Sequence, residues 1–209
     1  MMTADKRIDA FLEELGSKSP VPSGGGACGV CAAIGTTLGV MVIRMTSGKK
    51  KYAAYEERLE ALLEKLLPAG ERFLSLADAD EEVFLPLARA YGLPSGTEQE
   101  RLEKECVMQT VLRDAAAVPL SLMELCVETL KDISELTEIG SKMVISDVGV
   151  AARQLSAALE GGFMNVVINA GSLKDREEAD VLRKKGEALL QEGRALSDRI
   201  YEEVLSQLG

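Results

Sequence analysis

Histidine is absent from all 209 residues. A Ser-His-Asp triad, a Cys-His dyad and a histidine-ligated metal are therefore excluded within one chain. Acid–base chemistry falls to Asp, Glu, Lys, Tyr or Cys. Tryptophan is absent too, and aromatics make up only 4%. The core must be built from Leu, Val, Ile, Ala and Met, which favours helix packed on helix over a β-sandwich. Basic residues are few: 24 Lys and Arg face 34 Asp and Glu, a net charge of -10. That balance excludes a general nucleic-acid surface but leaves room for a local basic site. Cysteine is limited to positions 28, 31, 106 and 126. The opening "MMTADKRIDAFLEEL" is charged and amphipathic, unlike a secretory leader, so a cytoplasmic protein with free thiols is expected. Cys28 and Cys31 form a CxxC without a second ligand pair or a βαβ setting. They read as small core residues, and no metal site is expected.

What is present is helical periodicity. Thr3 to Leu15 reads as an amphipathic helix capped by Thr3, with Ile8, Phe11, Leu12 and Leu15 on one face. "GSKSPVPSGGG" is a loop, and Ser23 is placed to cap a helix from about Gly24 to Met45. Tyr52 to Ala90 is helical, with breaks expected at Pro68 and Pro86. Thr97 and Glu100 form a capping box for a helix reaching about Leu136, kinked at Pro119. "TEIGSK" is a turn; a helix over Asp147 to Leu159 is interrupted by "EGG" and resumes from Phe163 to Leu173. A charge-rich helix from Asp175 to about Leu208 ends the chain. Residues 1–209 read as one all-α domain, a multi-helix bundle of six to eight helices.

The stretch from Gly24 to Ile43 carries no charge and is about long enough to span a bilayer. It is rich in Gly, Ala, Thr and Cys, lacks aromatic belts and stands alone, so it reads as a glycine-rich helix buried all round at the centre of the bundle or of a dimer, not as a membrane span. Cys28, Ala32, Gly35 and Gly39 form a small-residue stripe that admits another helix or a second subunit, and a homodimer is expected.

The charges are unevenly placed. Leu15 to Tyr55 holds no Asp or Glu but holds Lys18, Arg44, Lys49, Lys50 and Lys51. A helix N-terminus preceded by glycines also suits an anion. The two ends of this helix lie roughly 30 Å apart at ~1.5 Å per residue, so they form one site only between two antiparallel subunits. On charge alone, a solvated lysine cluster is the simpler reading. Between Ile139 and Leu173 the only acids are Asp147 and Glu160. Asp147 sits among apolar and small residues, where a carboxylate is either a helix N-cap or a partly buried functional group. Asn165 and Asn169 share a helix face in an apolar setting, suited to a ligand or to nearby backbone.

Together "PVPSGGGACG", "MTSGKKKY", "YGLP", "AAAVPL", "ISDVGVAA" and "NVVINAGSLKD", in this order from Pro20 to Asp175, resemble the cyclodeaminase/cyclohydrolase family of folate enzymes. The family includes the C-terminal domain of formimidoyltransferase-cyclodeaminase and stand-alone methenyltetrahydrofolate cyclohydrolases. The resemblance implies an all-α dimer with tetrahydrofolate, including polyglutamylated forms, bound near the subunit interface. It implies chemistry at the bridge between N5 and N10: closure of 5-formimino-tetrahydrofolate with loss of ammonia, or hydration of the 5,10-methenyl form. Both need a positioned carboxylate or lysine and no cofactor beyond the folate substrate. By resemblance, Asp147 is the general base or electrostatic stabiliser. Gly24, Gly25 and Gly26 let the backbone meet the ligand, Lys49, Lys50 and Lys51 draw the glutamate tail, and Asn165 and Asn169 orient the pterin or the helix facing it. Ala27, Ser141 and Ala170-Gly171 depart from the usual pattern. The competing readings are a non-catalytic folate- or anion-binding dimer of the same fold, and a helical scaffold that acts through protein contacts.

Overall fold

The structure is a computed structural model describing residues 2–209. Six α-helices carry the fold: α1 (Ile8–Leu15), α2 (Gly24–Thr46), α3 (Glu56–Tyr91), α4 (Glu98–Ile139), α5 (Ile145–Gly171) and α6 (Arg176–Leu208). Single 3-10 turns precede α1, α3 and α5. Two starts follow local sequence chemistry. Thr97 Oγ1 accepts from the Glu100 N–H (3.2 Å) while the Glu100 carboxylate accepts from the Thr97 N–H (2.8 Å), closing the capping box of α4. The Asp175 carboxylate accepts from the Glu178 N–H at the start of α6.

Other boundaries are decided by packing. Thr3 caps no helix: its N–H and hydroxyl both donate to Asp78 Oδ1 (2.7 and 2.6 Å), pinning the N-terminal segment to α3. Ser23 does stand at the N-cap of α2, but its side chain makes no capping bond. Pro68, Pro86 and Pro119 lie inside unbroken helices, so the penalty of an interior proline is overridden by the buried faces on either side. The "EGG" break does not occur, and α5 runs through it. Gly161 faces the Cys28 thiol, and a methyl on Gly162 would lie 3.1 Å from Met123 and 3.2 Å from Leu122. These glycines permit close helix contact and do not end the helix.

The helix α2 packs against α3 on one side and α5 on the other, while α4 lies against α3, α5 and α6. Gly29 meets Phe73 and Ala77 of α3, and Gly35 meets Ala151 and Leu155 of α5. The small-residue stripe of α2 is thus used inside the chain. By length and apolarity α2 passes for a membrane span, yet 56% of its most apolar window is buried in the bundle. It is not buried all round in the protomer, however. Ile34 and Met45 are exposed and Leu38 and Met41 half-buried along its outer face. The main core spans α2 through α6, with Ile43, Leu66, Phe73, Met123, Ile133, Leu155 and Ile200 among its members. A smaller core, including Leu87, Leu112, Ala170 and Leu173, sits under the far part of the α3–α4 hairpin.

Candidate functional site

A cavity of about 310 Å³ opens where the start of α2, the C-terminal third of α3 and the end of α5 converge. α2 brings Ser23 and Gly24. α3 brings Asp80, Phe84, Leu87 and Tyr91, which follow one another at helical spacing on a single face. α5 brings Asn165, Ile168 and Asn169. Two of the chain's few aromatics therefore border one small space, and no Lys or Arg does.

Asp80 is the buried carboxylate of this site, 9% exposed. Its Oδ2 accepts from the Ser23 hydroxyl and from the Gly26 N–H, each at 3.1 Å. The carboxylate of α3 thereby occupies the position of an N-terminal cap for α2, where the helix dipole also favours negative charge. Burial nonetheless dominates, and the Asp80 pKa is raised above its ordinary value despite those two bonds. A carboxylate that both holds and releases a proton nearer neutrality suits general acid–base work. Gly25 makes the approach possible: a methyl there would occupy the place of the Asp80 carboxylate. Beside it, Asn165 Nδ2 donates to Gly161 O (3.0 Å) and Asn169 Nδ2 donates to Ala115 O (2.8 Å).

The structure brings Gly24, Asn165 and Asn169 to the lining of this cavity, with Gly25 and Gly26 buried behind it against Asp80. It does not bring Lys49, Lys50, Lys51 or Asp147 to it. Gly48, in the left-handed region at φ 75, turns the chain after α2 and delivers the lysines to the opposite end, ~33 Å from Gly24 along the axis. There Lys49 Nζ donates to Ser141 Oγ (3.3 Å), and the Ser141 N–H donates to Thr46 Oγ1 (2.9 Å). The Lys142 N–H donates to the Tyr52 hydroxyl oxygen (3.1 Å), and this bond lowers the Tyr52 pKa. Lys50 and Lys51 are exposed. Asp147 is half-buried in the first turn of α5, with Val144 and not Asp147 at the N-cap position. It lies ~27 Å from Asn165 along the same helix.

Asp80 is the group that sequence reasoning missed. A signal was present: Phe73, Ala77, Asp80, Phe84, Leu87 and Tyr91 follow one heptad-like register, so Asp80 is an acid on the apolar face of its helix. The surrounding "DADEEV" disguises it as part of a solvated acidic run.

Two other grooves lack such a group. One of about 620 Å³ between α3 and α4 is lined by charges of both signs, several of them paired, as in Lys65–Asp132 at 2.9 Å. One of about 700 Å³ beside α1 is almost wholly apolar, bordered by Ile8, Leu12, Ile34 and Met41. Among the described residues, no three His, Cys, Asp or Glu side chains are grouped to hold a metal ion.

The helical bundle thus holds a buried carboxylate of raised pKa in a cleft lined by amide and aromatic side chains, a setting suited to acid–base chemistry. The chain belongs to the formiminotransferase-cyclodeaminase family, whose sequence pattern matches residues 7–188. It is 38% identical over 208 residues to the methenyltetrahydrofolate cyclohydrolase of Methylorubrum extorquens, covering 99% of this chain and 100% of that protein. It is 33% identical over 190 residues to the formimidoyltransferase-cyclodeaminase of Rattus norvegicus, of which it spans 35%. The crystal structure of formiminotetrahydrofolate cyclodeaminase from Thermotoga maritima superposes with a TM-score of 0.81 at 27% identity, covering 98% of this chain and 96% of that one.

Proposed function

We propose that the chain is a methenyltetrahydrofolate cyclohydrolase that binds the pterin end of its substrate at the α2–α3–α5 cavity and uses Asp80 as its acid–base group. The observation that carries this reading is Asp80 itself, buried, held by Ser23 and Gly26, and bordering that cleft. The full-length similarity to a cyclohydrolase supports the choice of reaction. The substrate's bridging carbon is part of a cation, which an adjacent carboxylate stabilises. Asp80 takes a proton from water as the water oxygen bonds to that carbon. In the tetrahedral adduct the bond from carbon to N5 breaks, N5 takes a proton and the hydroxyl proton is lost, leaving the formyl group on N10 and one net proton released. The protein needs no group beyond the folate for these steps. The cyclodeaminase reaction is the second reading, supported by the Thermotoga maritima similarity. It crosses the same tetrahedral carbon with ammonia as the leaving group.

We further propose that the site is completed by a second copy. Asp147, Val150, Gln154, Ala157, Gly161, Met164 and Ile168 form one stripe at alternating spacings of three and four along α5, and Met143 in the turn before it continues the spacing. Met143, Val150, Met164 and Ile168 are exposed although apolar, and Ile34 and Met45 of α2 extend the patch. A twofold axis near Gln154 and Ala157 sets position 147 of one chain against position 164 of its partner. Asp147 and the lysines 49–51 of one copy then approach the cation-free cavity of the other, where the glutamate tail of the folate emerges. An acidic cavity end meeting a basic end is the expected charge complementarity.

The deciding measurement is the loss of 5,10-methenyltetrahydrofolate absorbance above the spontaneous rate. No acceleration, with formation of the same chromophore from 5-formimino-tetrahydrofolate, transfers the assignment to the cyclodeaminase; neither activity, with a folate still bound, leaves a binding protein. Asp147→Asn with full turnover removes Asp147 from the mechanism. Lys50→Ala and Lys51→Ala with unchanged affinity for polyglutamylated folate remove the lysines from tail binding.

A further inference from the structure

Pro119 lies inside α4 and is buried. Proline has no N–H, so the carbonyl four residues earlier, that of Ala115, loses its helical partner. That carbonyl takes the Asn169 Nδ2 of α5 at 2.8 Å instead. Ala115 and Asn169 both border the cavity. A carbonyl only accepts, so the contact fixes which end of the amide is nitrogen. The Asn169 Oδ1 accepts nothing from the chain, and neither does that of Asn165, whose Nδ2 is engaged by Gly161 O. The two asparagines stand one helical turn apart, so the cavity offers acceptors in fixed orientation next to a carboxylate. α5 runs close to this part of α4: a methyl on Gly162 would lie 3.4 Å from the Pro119 carbonyl oxygen.

We propose that Pro119 is a positioning residue for substrate recognition: by vacating the Ala115 carbonyl it locks Asn169 with its oxygen available to the cavity, where it accepts an N–H from the edge of a tetrahydropterin ring. The inference rests on the folate reading above and adds the device that sets the polarity of the recognising amide. It also gives a shared reason for two separate segments, "AAAVPL" on α4 and "NVVINAG" on α5. The ligand class is a ring that donates N–H groups from its 2-amino, N3 side.

Pro119→Ala returns an N–H to the helix and lets Ala115 pair within α4. A purely structural proline in this position would give, on replacement, a more stable helix and an unchanged ligand affinity. The proposal expects the melting temperature to hold or rise while the Kd for 5-formyltetrahydrofolate weakens about tenfold, with KM raised more than kcat is lowered. Asn169→Leu weakens binding at least as much, and the double variant binds no more weakly than Asn169→Leu alone, since both act through one contact. Asn169→Asp gives an independent arm that leaves α4 intact. It keeps an acceptor oxygen but has no N–H for Ala115, and it too should lose about tenfold. Wild-type affinity in Pro119→Ala or in Asn169→Asp overturns the inference, as do losses that simply add in the double variant. Failure of the unmodified protein to bind 5-formyltetrahydrofolate overturns the folate reading and this inference with it, and is recognised without any variant.

Discussion

Gly25 is the position where one methyl group separates the proposed geometry from any looser one. A Cβ at Gly25 coincides with the Asp80 carboxylate, so Gly25→Ala forces Asp80 or the first turn of α2 to move. The displaced carboxylate gives up the Ser23 hydroxyl and the Gly26 N–H. Overpacking of a tight site costs about 1–3 kcal/mol. Hydrogen bonds to a charged group are worth ~1.5–3 kcal/mol each, part of which water restores once Asp80 swings outward. The net loss is therefore a few kcal/mol, and at ~2–4 °C per kcal/mol for a chain of this size the melting temperature falls by roughly 5–15 °C. Activity falls further in proportion, because a displacement of ~1 Å in a catalytic group costs on the order of 10²-fold. The assay pairs thermal unfolding with the rate of methenyltetrahydrofolate absorbance loss. Gly70→Ala is the control: its Cβ would meet only Thr36, at 3.9 Å, and an alanine inside α3 should stabilise by ~0.5–1 kcal/mol. Gly25→Ala with both the stability and the turnover of the parent would refute the placement of Asp80 against α2.

Asp80→Asn keeps acceptors for Ser23 and Gly26 but removes the titrating group, so turnover should fall by about 10²–10⁴. Stability should move the other way with pH. Because the folded pKa of Asp80 is raised above 3.8 by burial, the contribution of its proton is full below that pH and is lost as pH rises through the raised value. In denaturant titrations across pH, the variant should gain on the parent from acid toward neutrality, and a constant difference would count against a raised pKa. Val150→Glu puts a charge in the exposed stripe of α5, so sedimentation should show the proposed dimer dissociating and turnover falling with it; a monomeric parent of full activity would sink the composite site. Burial pushes Cys28 up to about 11 and Cys126 well above its ordinary value, while the Cys31 thiol, also raised, is bonded to Gln154 at 2.8 Å. At neutral pH a thiol reagent should therefore modify the exposed Cys106 first, and the other three only on unfolding.

Much of the helical framework is legible in the sequence because its causes are local. The capping box at Thr97, the cap at Asp175 and the apolar repeats of α2, α3 and α6 need only neighbours within a few residues. The absence of histidine likewise restricts the chemistry to carboxylate, amine, phenol or thiol whatever the fold. Local sequence misleads where a residue's partner lies far along the chain. Thr3 looked like a cap and instead binds Asp78, 75 positions away. Gly161 and Gly162 looked like a break, yet they are clearance for Cys28 and Met123.

The site divides in the same way. The residue types that mark it, three successive glycines and two asparagines one turn apart, were determined by the sequence itself, since each is unusual in its apolar setting. That Asp80 supplies the carboxylate, and that Asp147 and the lysines stand at the other end of the protomer, only the tertiary structure decided. A helix fixes what lies four residues away. What lies across the cleft depends on how α2, α3 and α5 pack, and that contact pattern is a property of the whole chain.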